Sequence, residues 1–160
     1  MDNFEIRRFE EADAEAVSEI VRRNFLEVNS LDYGLAEMEK KAKDYGPERV
    51  LRVAGFANTY VATMEKKVAA CGAISSFWDS LDESILLMIF VLPELHGKGI
   101  GKAIIQALEE DELFLRAKRI EIPASITACE FYRRLGYDYK NGIKELDEEG
   151  HYRMEKVRAP

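Results

Sequence analysis

A glycine-rich segment, His96-Gly97-Lys98-Gly99-Ile100-Gly101-Lys102, lies between an apolar run and a helical pattern. Glycines let a backbone approach a ligand closely, and the first N–H groups of a helix have no intrahelical partner. These N–H groups bind anions well because the helix dipole lies behind them. Lys98 and Lys102 add positive charge beside them. The segment therefore predicts a phosphate-binding site at the start of a helix.

Two common phosphate-binding patterns do not fit this segment. A P-loop has Ser or Thr after its Gly-Lys pair, whereas Ala103 follows Gly101-Lys102. The dinucleotide pattern ends on a third glycine, and Lys102 or Ile104 occupies that position here. From these residues alone, a glycine-rich turn without a ligand is the remaining alternative.

Length and composition predict a single domain over residues 1–160. The chain is 47% hydrophobic and carries a formal net charge of -7, which disfavours nucleic acid as a partner. The first five residues show neither the basic nor the apolar segment of a secretion signal. The longest apolar run, residues 85–92, is too short to span a membrane. We therefore expect a cytoplasmic protein without a membrane or nucleic-acid partner.

Cysteine and histidine are scarce in this chain. Cys71, Cys129, His96 and His151 are too few and too far apart for a zinc site. We therefore expect no metal, and we expect both cysteines to be small buried side chains.

The apolar periodicity predicts an α/β (α+β) fold, with helices on both faces of a mostly antiparallel sheet. The almost continuously apolar run at residues 84–92 predicts a central strand. Residues 29–34 predict a loop, and Asp111 interrupts a helical stripe. The predicted strands are residues 4–8, 59–64, 67–77, 84–92, 119–124, 137–140 and 151–157, and the predicted helices are 13–28, 35–44, 47–56, 100–115 and 126–135.

Two segments resemble motifs of the GNAT N-acetyltransferase superfamily. Residues 90–101 (FVLPELHGKGIG) are similar to its acyl-CoA motif, commonly [Q/R]-x-x-G-x-[G/A] after V-x-P. Residues 125–137 (SITACEFYRRLGY) are similar to its N-x-x-A-x-x-F-Y-x-x-L-G-[FY] helix. His96 stands where Gln or Arg is usual, and Ser125 stands where Asn is frequent. The opening strand, Ile6-Arg7-Arg8, also agrees with the family, so the resemblance covers the whole chain.

The resemblance implies a GNAT-type sheet with splayed central strands and acetyl-CoA as cosubstrate. It also implies direct attack of a primary amine on the acetyl thioester, the acceptor being a small molecule or a protein amino group. The cofactor-binding residues that it implies are Ile89, Phe90, Val91, His96, Gly97, Lys98, Gly99, Ile100, Gly101, Lys102, Ser125 and Ala128.

Three catalytic roles follow from the same resemblance. Tyr132 would be the general acid that protonates the departing thiolate. Glu121 or Glu83 would be the general base, and a main-chain N–H near Phe90 or Val91 would stabilise the oxyanion. The acceptor pocket would lie near Phe25, Asn29, Leu31, Asp32 and Tyr33.

Two other functional hypotheses stay open on the sequence. One is a non-catalytic acyl-CoA sensor or interaction module, suggested by the two motif departures. The other is covalent acyl transfer through Cys129, for which the sequence offers no partner histidine. The sequence also leaves open whether the chain forms a homodimer.

Overall fold

A computed structural model describes residues 3–158. Its centre is a seven-stranded sheet with strand order β1-β2-β3-β4-β5-β7-β6, in which only the β4–β5 pair is parallel. The strands are β1 (Glu5–Arg8), β2 (Asn58–Met64), β3 (Lys67–Ser76), β4 (Glu83–Val91), β5 (Arg119–Ala124), β6 (Asp138–Tyr139) and β7 (Tyr152–Val157). The α-helices are α1 (Ala14–Asn24), α2 (Ser30–Tyr33), α3 (Leu35–Lys43), α4 (Pro47–Phe56), α5 (Ile100–Glu109), α6 (Glu112–Leu115) and α7 (Cys129–Arg134).

Helices cover both faces of the sheet, as predicted. On one face, apolar side chains of α1 and α4 pack on Val61, Cys71 and Met88 of the central strands. On the other face, α5, α6 and α7 pack on Ile74 and Leu86. The predicted α/β fold with helices on both faces is therefore confirmed, with one hydrophobic cluster on each side of the sheet.

The central strand β4 is interrupted by a β-bulge. Its pairing with β3 jumps from Leu87 opposite Ala73 to Phe90 opposite Cys71, so two residues of β4 face Gly72. One of them, Met88, has a φ of 54°, and its carbonyl accepts a 3.2 Å hydrogen bond from Cys71 Sγ. A bulge bends its strand and increases the local twist, so the end of β4 leaves the plane of its neighbours.

The bulge accompanies a split between β4 and β5. These strands pair only where Glu83–Ile85 run beside Arg119–Glu121. Residues 89–91 lie beyond the last pair, so this edge of β4 has no partner in β5. The predicted splaying of the central strands is therefore confirmed.

The prediction of a loop at residues 29–34 is wrong. A π-helix (Phe25–Asn29) follows α1, and α2 continues the helical path to Gly34, whose φ is 90°. Ser30 Oγ donates a 2.6 Å hydrogen bond to the carbonyl of Leu26, one turn earlier. Residues that favour turns in a sequence thus lie on a helical path here, with the Ser30 hydroxyl bonded to the preceding turn.

Two further helices differ from the sequence prediction. The helical stripe at 100–115 is divided into α5 and α6, and the Asp111 side chain caps α6 by accepting from Leu113 N–H. Residues 126–128 form a 3₁₀ turn before α7. Within this turn, the Thr127 hydroxyl donates to the Asp32 carboxylate. Among the helices formed by residues 3–158, none is long and apolar enough to cross a membrane.

Replacing Gly72 by alanine tests how closely α5 approaches β3 at the bulge. The added Cβ would lie 2.6 Å from Ile104 Cγ2 and 3.2 Å from Leu108 Cδ1. We expect Gly72→Ala to lower the free energy of unfolding by about 1–3 kcal/mol in urea denaturation. Gly55→Ala on α4, where a Cβ meets nothing within 4 Å, is the control and should keep or raise stability. Equal stability of both variants would contradict this packing.

Candidate active site

The split between β4 and β5 opens into a cavity of about 1110 Å³. The cavity runs from the start of α5, past the end of β4 and α7, to the π-helix, α3 and the segment that precedes β7. The predicted cofactor-binding residues that line it are Ile89, Phe90, Val91, His96, Gly97, Gly99, Gly101, Lys102, Ser125 and Ala128. The side chain of Ile100 is 1% exposed and packs in the core instead, while Lys98 is exposed at the surface.

The start of α5 has the geometry of an anion cradle. Gly99 precedes the helix with a φ of 85°, and the first bond of the helix runs from Ala103 N to Gly99 O at 3.1 Å. The N–H groups of residues 100–102 therefore have no intrahelical acceptor, and no side chain within residues 3–158 caps this helix. A Cβ added to Gly97 or Gly99 meets nothing within 4 Å, so open space lies beside the cradle. These features fit a pyrophosphate group.

Gly101 has a different role from the two glycines before it. A Cβ at this position would lie 3.2 Å from Phe131 Cζ and 3.5 Å from Val91 Cγ2. The missing side chain therefore lets the first turn of α5 approach both α7 and the end of β4, which brings the two predicted motifs together.

The carbonyl of Val91 is already engaged at the end of β4. It accepts a 2.8 Å hydrogen bond from Asn24 Nδ2 on α1 and a 2.9 Å bond from His96 Nε2. Because a carbonyl only accepts, Nε2 of His96 carries a proton in this arrangement. The N–H of Leu92 points to β3, where it bonds Ala69, so the N–H of Val91 points to the split.

Asn24 is a site residue that the sequence analysis missed. Its side chain is buried and also donates to the carbonyl of Ile20 at 2.9 Å. The sequence did contain a signal for it, namely a polar residue on an apolar stripe: Asn24 lies three residues after Val21 and four before Val28. A polar residue on such a stripe needs a buried partner, and Val91 is that partner.

Tyr132 lies where α7 faces the cavity. It is 5% exposed, and its ring packs against those of Phe131 and Tyr137, with centroids 5.3 Å and 6.4 Å away. Burial raises the pKa of Tyr132 well above its usual range. The phenol therefore keeps its proton at every pH near neutrality and is a donor, never a base, in this range.

The structure places Glu121 and Glu83, the two predicted bases, in an ion cluster outside the cavity lining. Arg119 donates to Glu83 at 2.7 Å and to the buried Glu121 at 2.6 Å. Lys140 and Arg153 approach Glu121 at 2.9 Å and 3.3 Å. Burial acts to raise the pKa of Glu121, but hydrogen bonds from Arg119 and Lys140 outweigh it and lower the pKa. Such a carboxylate is a weak base.

Both cysteines are buried, as predicted. Burial raises the pKa of Cys71 to about 12 and also raises the pKa of Cys129. Cys129 Sγ lies 3.5 Å from the carbonyl of Ser125 and outside the cavity lining. A thiol in this state is a poor nucleophile at neutral pH, which argues against covalent transfer through Cys129.

The far end of the cavity was only partly predicted. Phe25, Asn29 and Tyr33 line it, whereas Leu31 is 85% exposed and Asp32 is bonded to Thr127. Carboxylates and rings that the sequence analysis did not assign also line this end. They are Glu37, Asp44, Asp147, Glu148, Glu149, Tyr45 and Phe56, together with the cations Lys41, Arg49 and Arg153 and the imidazole of His151.

Comparison with known proteins agrees with this geometry. Residues 55–139, more than half of the chain, match the family model described as Acetyltransferase (GNAT) domain. The matched region contains the split, the cradle and Tyr132. The chain belongs to the GNAT acetyltransferase family.

Solved structures show the same fold. PaiA N-acetyltransferase from Thermoplasma acidophilum, solved with coenzyme A, has a TM-score of 0.82 at 18% identity, over 97% of this chain and 99% of that one. A GCN5-related N-acetyltransferase from Rhodopseudomonas palustris has a TM-score of 0.78 at 23% identity, over 98% and 97%. Rv2747 from Mycobacterium tuberculosis, solved with CoA, has a TM-score of 0.69 at 18% identity, over 97% and 99%. No curated protein matches the chain.

The ion cluster predicts that Glu121 stabilises the fold. Because its loss leaves Arg119, Lys140 and Arg153 without their shared acceptor, we expect Glu121→Gln to lower the free energy of unfolding by about 2 kcal/mol. The lowered pKa of Glu121 makes its contribution present above the ordinary carboxyl pKa and lost as the pH falls through the folded value. Urea denaturation at pH 7 and pH 3 measures both effects. A variant with wild-type stability at pH 7 would contradict this role.

Proposed function

We propose that this protein transfers the acetyl group of acetyl-CoA to a primary amine by direct attack, without a covalent enzyme intermediate. One observation carries the proposal: a single cavity connects the anion cradle, the unpaired edge of β4, Tyr132 and an acidic, aromatic far end. A phosphate-bearing acyl donor and an amine could thus meet at the split between β4 and β5.

The cradle and the split supply the groups that hold the acyl donor. The N–H groups at the start of α5 would bind the pyrophosphate, with Lys102 beside them. The unpaired edge of residues 89–91 would pair with the pantetheine arm as an added strand does. Because the carbonyl of Val91 is held by Asn24 and His96, its N–H is the group left for the ligand. Bound there, acetyl-CoA supplies the activated acetyl carbon.

Two groups of this chain would act on the reacting atoms. An N–H of Phe90 or Val91 would donate to the carbonyl oxygen as negative charge develops on it, and the direction of the Val91 N–H favours Val91. Tyr132 would donate its proton to the sulfur as the C–S bond breaks. Its raised pKa keeps the phenol protonated near neutral pH, so the proton is present when the thiolate forms.

The far end of the cavity favours a cationic acceptor. Around it, carboxylates outnumber cations. The carboxylates belong to Glu37, Asp44 and the turn at 147–149, and the cations are Lys41, Arg49 and Arg153. Several aromatic rings lie among them, and both carboxylates and ring faces attract an ammonium group. A primary amine on a small molecule or on a protein fits this lining.

The proposal is tested by calorimetry with acetyl-CoA and by thiol release with propylamine, cadaverine and tyramine. We expect binding and amine-dependent thiol release, with the acetylated amine identified by mass spectrometry. Binding without thiol release from any amine would overturn transfer and leave an acyl-CoA sensor. No binding would overturn the proposal entirely.

Gly99→Glu tests the cradle. We expect it to weaken acetyl-CoA binding at least about 50-fold, because the new carboxylate repels phosphate where the N–H groups converge. Gly142→Glu is a matched control, since both glycines are exposed with positive φ (85° and 72°) and open space at Cβ. The two variants should lose similar stability, but only Gly99→Glu should lose affinity in calorimetry. Equal affinities would contradict the cradle.

Tyr132→Phe tests the general acid. We expect kcat to fall about 100-fold with little change in the KM for acetyl-CoA, because only the proton donor is lost. Tyr137→Phe is the control, since this second buried hydroxyl donates to Glu109 at 2.9 Å and lies outside the cavity lining. It should lower stability and leave kcat unchanged. A Tyr132→Phe protein with wild-type kcat in steady-state thiol release would exclude the role.

A further inference from the structure

His151 lies in a segment that is held rigidly beside the far end of the cavity. Its N–H donates to Asp147 Oδ1 at 2.9 Å, and its carbonyl accepts from Asp147 N–H at 2.8 Å. The preceding residue, Gly150, has its carbonyl bonded to the Tyr33 hydroxyl at 2.5 Å. That hydroxyl in turn accepts a 3.0 Å bond from Ile126 N–H. The backbone that carries the imidazole is therefore linked to α2 and, through Tyr33, to the start of the 3₁₀ turn before α7.

The imidazole lines the cavity but has an unsatisfied nitrogen. Nδ1 is buried and has no hydrogen-bond partner within residues 3–158. The side chain as a whole is 24% exposed, and this exposure lies on ring atoms other than Nδ1. Nε2 is therefore the nitrogen that is available to a molecule in the cavity. The carboxylate of Glu149 comes within 3.9 Å of Nδ1, just beyond hydrogen-bond distance. A small movement of this exposed side chain would make it an acceptor for Nδ1–H.

The surroundings of His151 keep it neutral near pH 7. Burial is the main cause that lowers the pKa of His151, and Lys41 on α3 and Arg153 on β7 lower it further. Asp147 and Glu149 on the adjacent turn act in the opposite direction, but the net shift is downward. A neutral imidazole with its proton on Nδ1 has a free lone pair on Nε2.

His151 and Tyr132 both line the cavity, but they adjoin different helices. Tyr132 belongs to the cluster that packs α5 and α7 on the sheet. His151 adjoins α2 through Gly150, and the charge of Lys41 on α3 acts on it. A donor of protons thus lies on the α7 side, and an acceptor of protons lies on the side of the acidic, aromatic lining.

We propose that Nε2 of His151 is the general base that deprotonates the acceptor ammonium, with Glu149 as its positioning residue. This inference rests on the proposed function. Nε2 takes one proton from R–NH3+, and the freed lone pair of R–NH2 forms the C–N bond while the C–S bond breaks. The sulfur keeps the electron pair and takes a proton from Tyr132. The nitrogen then loses a second proton, which returns Tyr132 to its protonated form. The imidazolium of His151 releases its proton to solvent.

The adjacent carboxylate of Asp147 is less suited to this role. Asp147 already accepts two backbone N–H bonds at Oδ1 and lies 3.1 Å from Arg153 through Oδ2. Burial acts to raise the pKa of Asp147, but those N–H bonds and the charges of His151 and Arg153 outweigh it and lower the pKa. A base works best when its pKa is close to the working pH, and imidazole meets that condition better than an ionised carboxylate.

The kinetic test compares His151→Gln with the unaltered protein, using the panel amine that the latter acetylates fastest. We expect kcat/KM at pH 7 to fall about 100-fold. The unaltered protein should reach a plateau above the pKa of His151, whereas the variant should keep gaining rate toward the pKa of the amine. Glu145→Gln, an exposed change on the same segment outside the cavity lining, is the control and should behave as wild type. An unchanged rate and pH profile for His151→Gln would overturn the proposal.

A measurement on the unaltered protein covers the case in which the variant does not fold. The chain has two histidines, so ¹⁵N NMR shows two imidazoles, and His96→Gln assigns them. We expect the His151 signal to show the Nδ1–H tautomer and a pKa below 6.5. An Nε2–H tautomer or a cationic ring at pH 7 would overturn the assignment.

Two further outcomes separate the causes of failure. Added imidazole should raise the rate of His151→Ala at least about tenfold over the rate of the same variant without imidazole. A histidine with a merely structural role would not give this rescue. If the unaltered protein releases no thiol with any amine, the proposed function itself fails. If it does and His151→Gln matches it at every pH, only the assignment of His151 fails.

Discussion

The departure of β4 from β5 after residue 85 is the constraint on which the rest of the structure depends. A bulge accompanies it, in which two residues of β4 face Gly72, and Cys71 Sγ bonds the carbonyl of Met88 there. Gly72 has no side chain because Ile104 of α5 occupies that space. The helix that carries the anion cradle is thus packed directly on the bulge that opens the cavity. Cradle and split are two results of one packing arrangement.

The ion cluster of Arg119 lies where the central strands still pair. Arg119 bonds Glu83 on β4, Glu121 on its own strand and Glu155 on β7. It therefore ties three adjacent strands together immediately before the split. A buried carboxylate with several cationic partners is costly to remove, because the partners are then left without an acceptor. This explains why carboxylates with a catalytic appearance in sequence have a structural role here.

The two sides of the split suit the two halves of an acyl transfer. Tyr132 lies among apolar side chains, which favour its neutral form, on the face of the sheet where α5 and α7 pack. The far end carries carboxylates and rings that attract a cation. Between them, Asn24 on α1 and His96 beside the cradle hold the same Val91 carbonyl. His96 departs from the usual family residue, yet it contacts the strand edge that the cofactor arm would use.

Local sequence determined the strands and the glycine-rich start of α5. The strand over residues 119–124 depends on neighbouring residues, and the glycines at 97 and 99 have φ values that few other residues adopt. Only the tertiary structure decided the far end of the cavity, because its contacts join distant residues. Tyr33 is 117 positions from Gly150, and Asn24 is 67 from Val91. Burial and distant partners set the proton state of Glu121 and His151, and neither is encoded in a short segment.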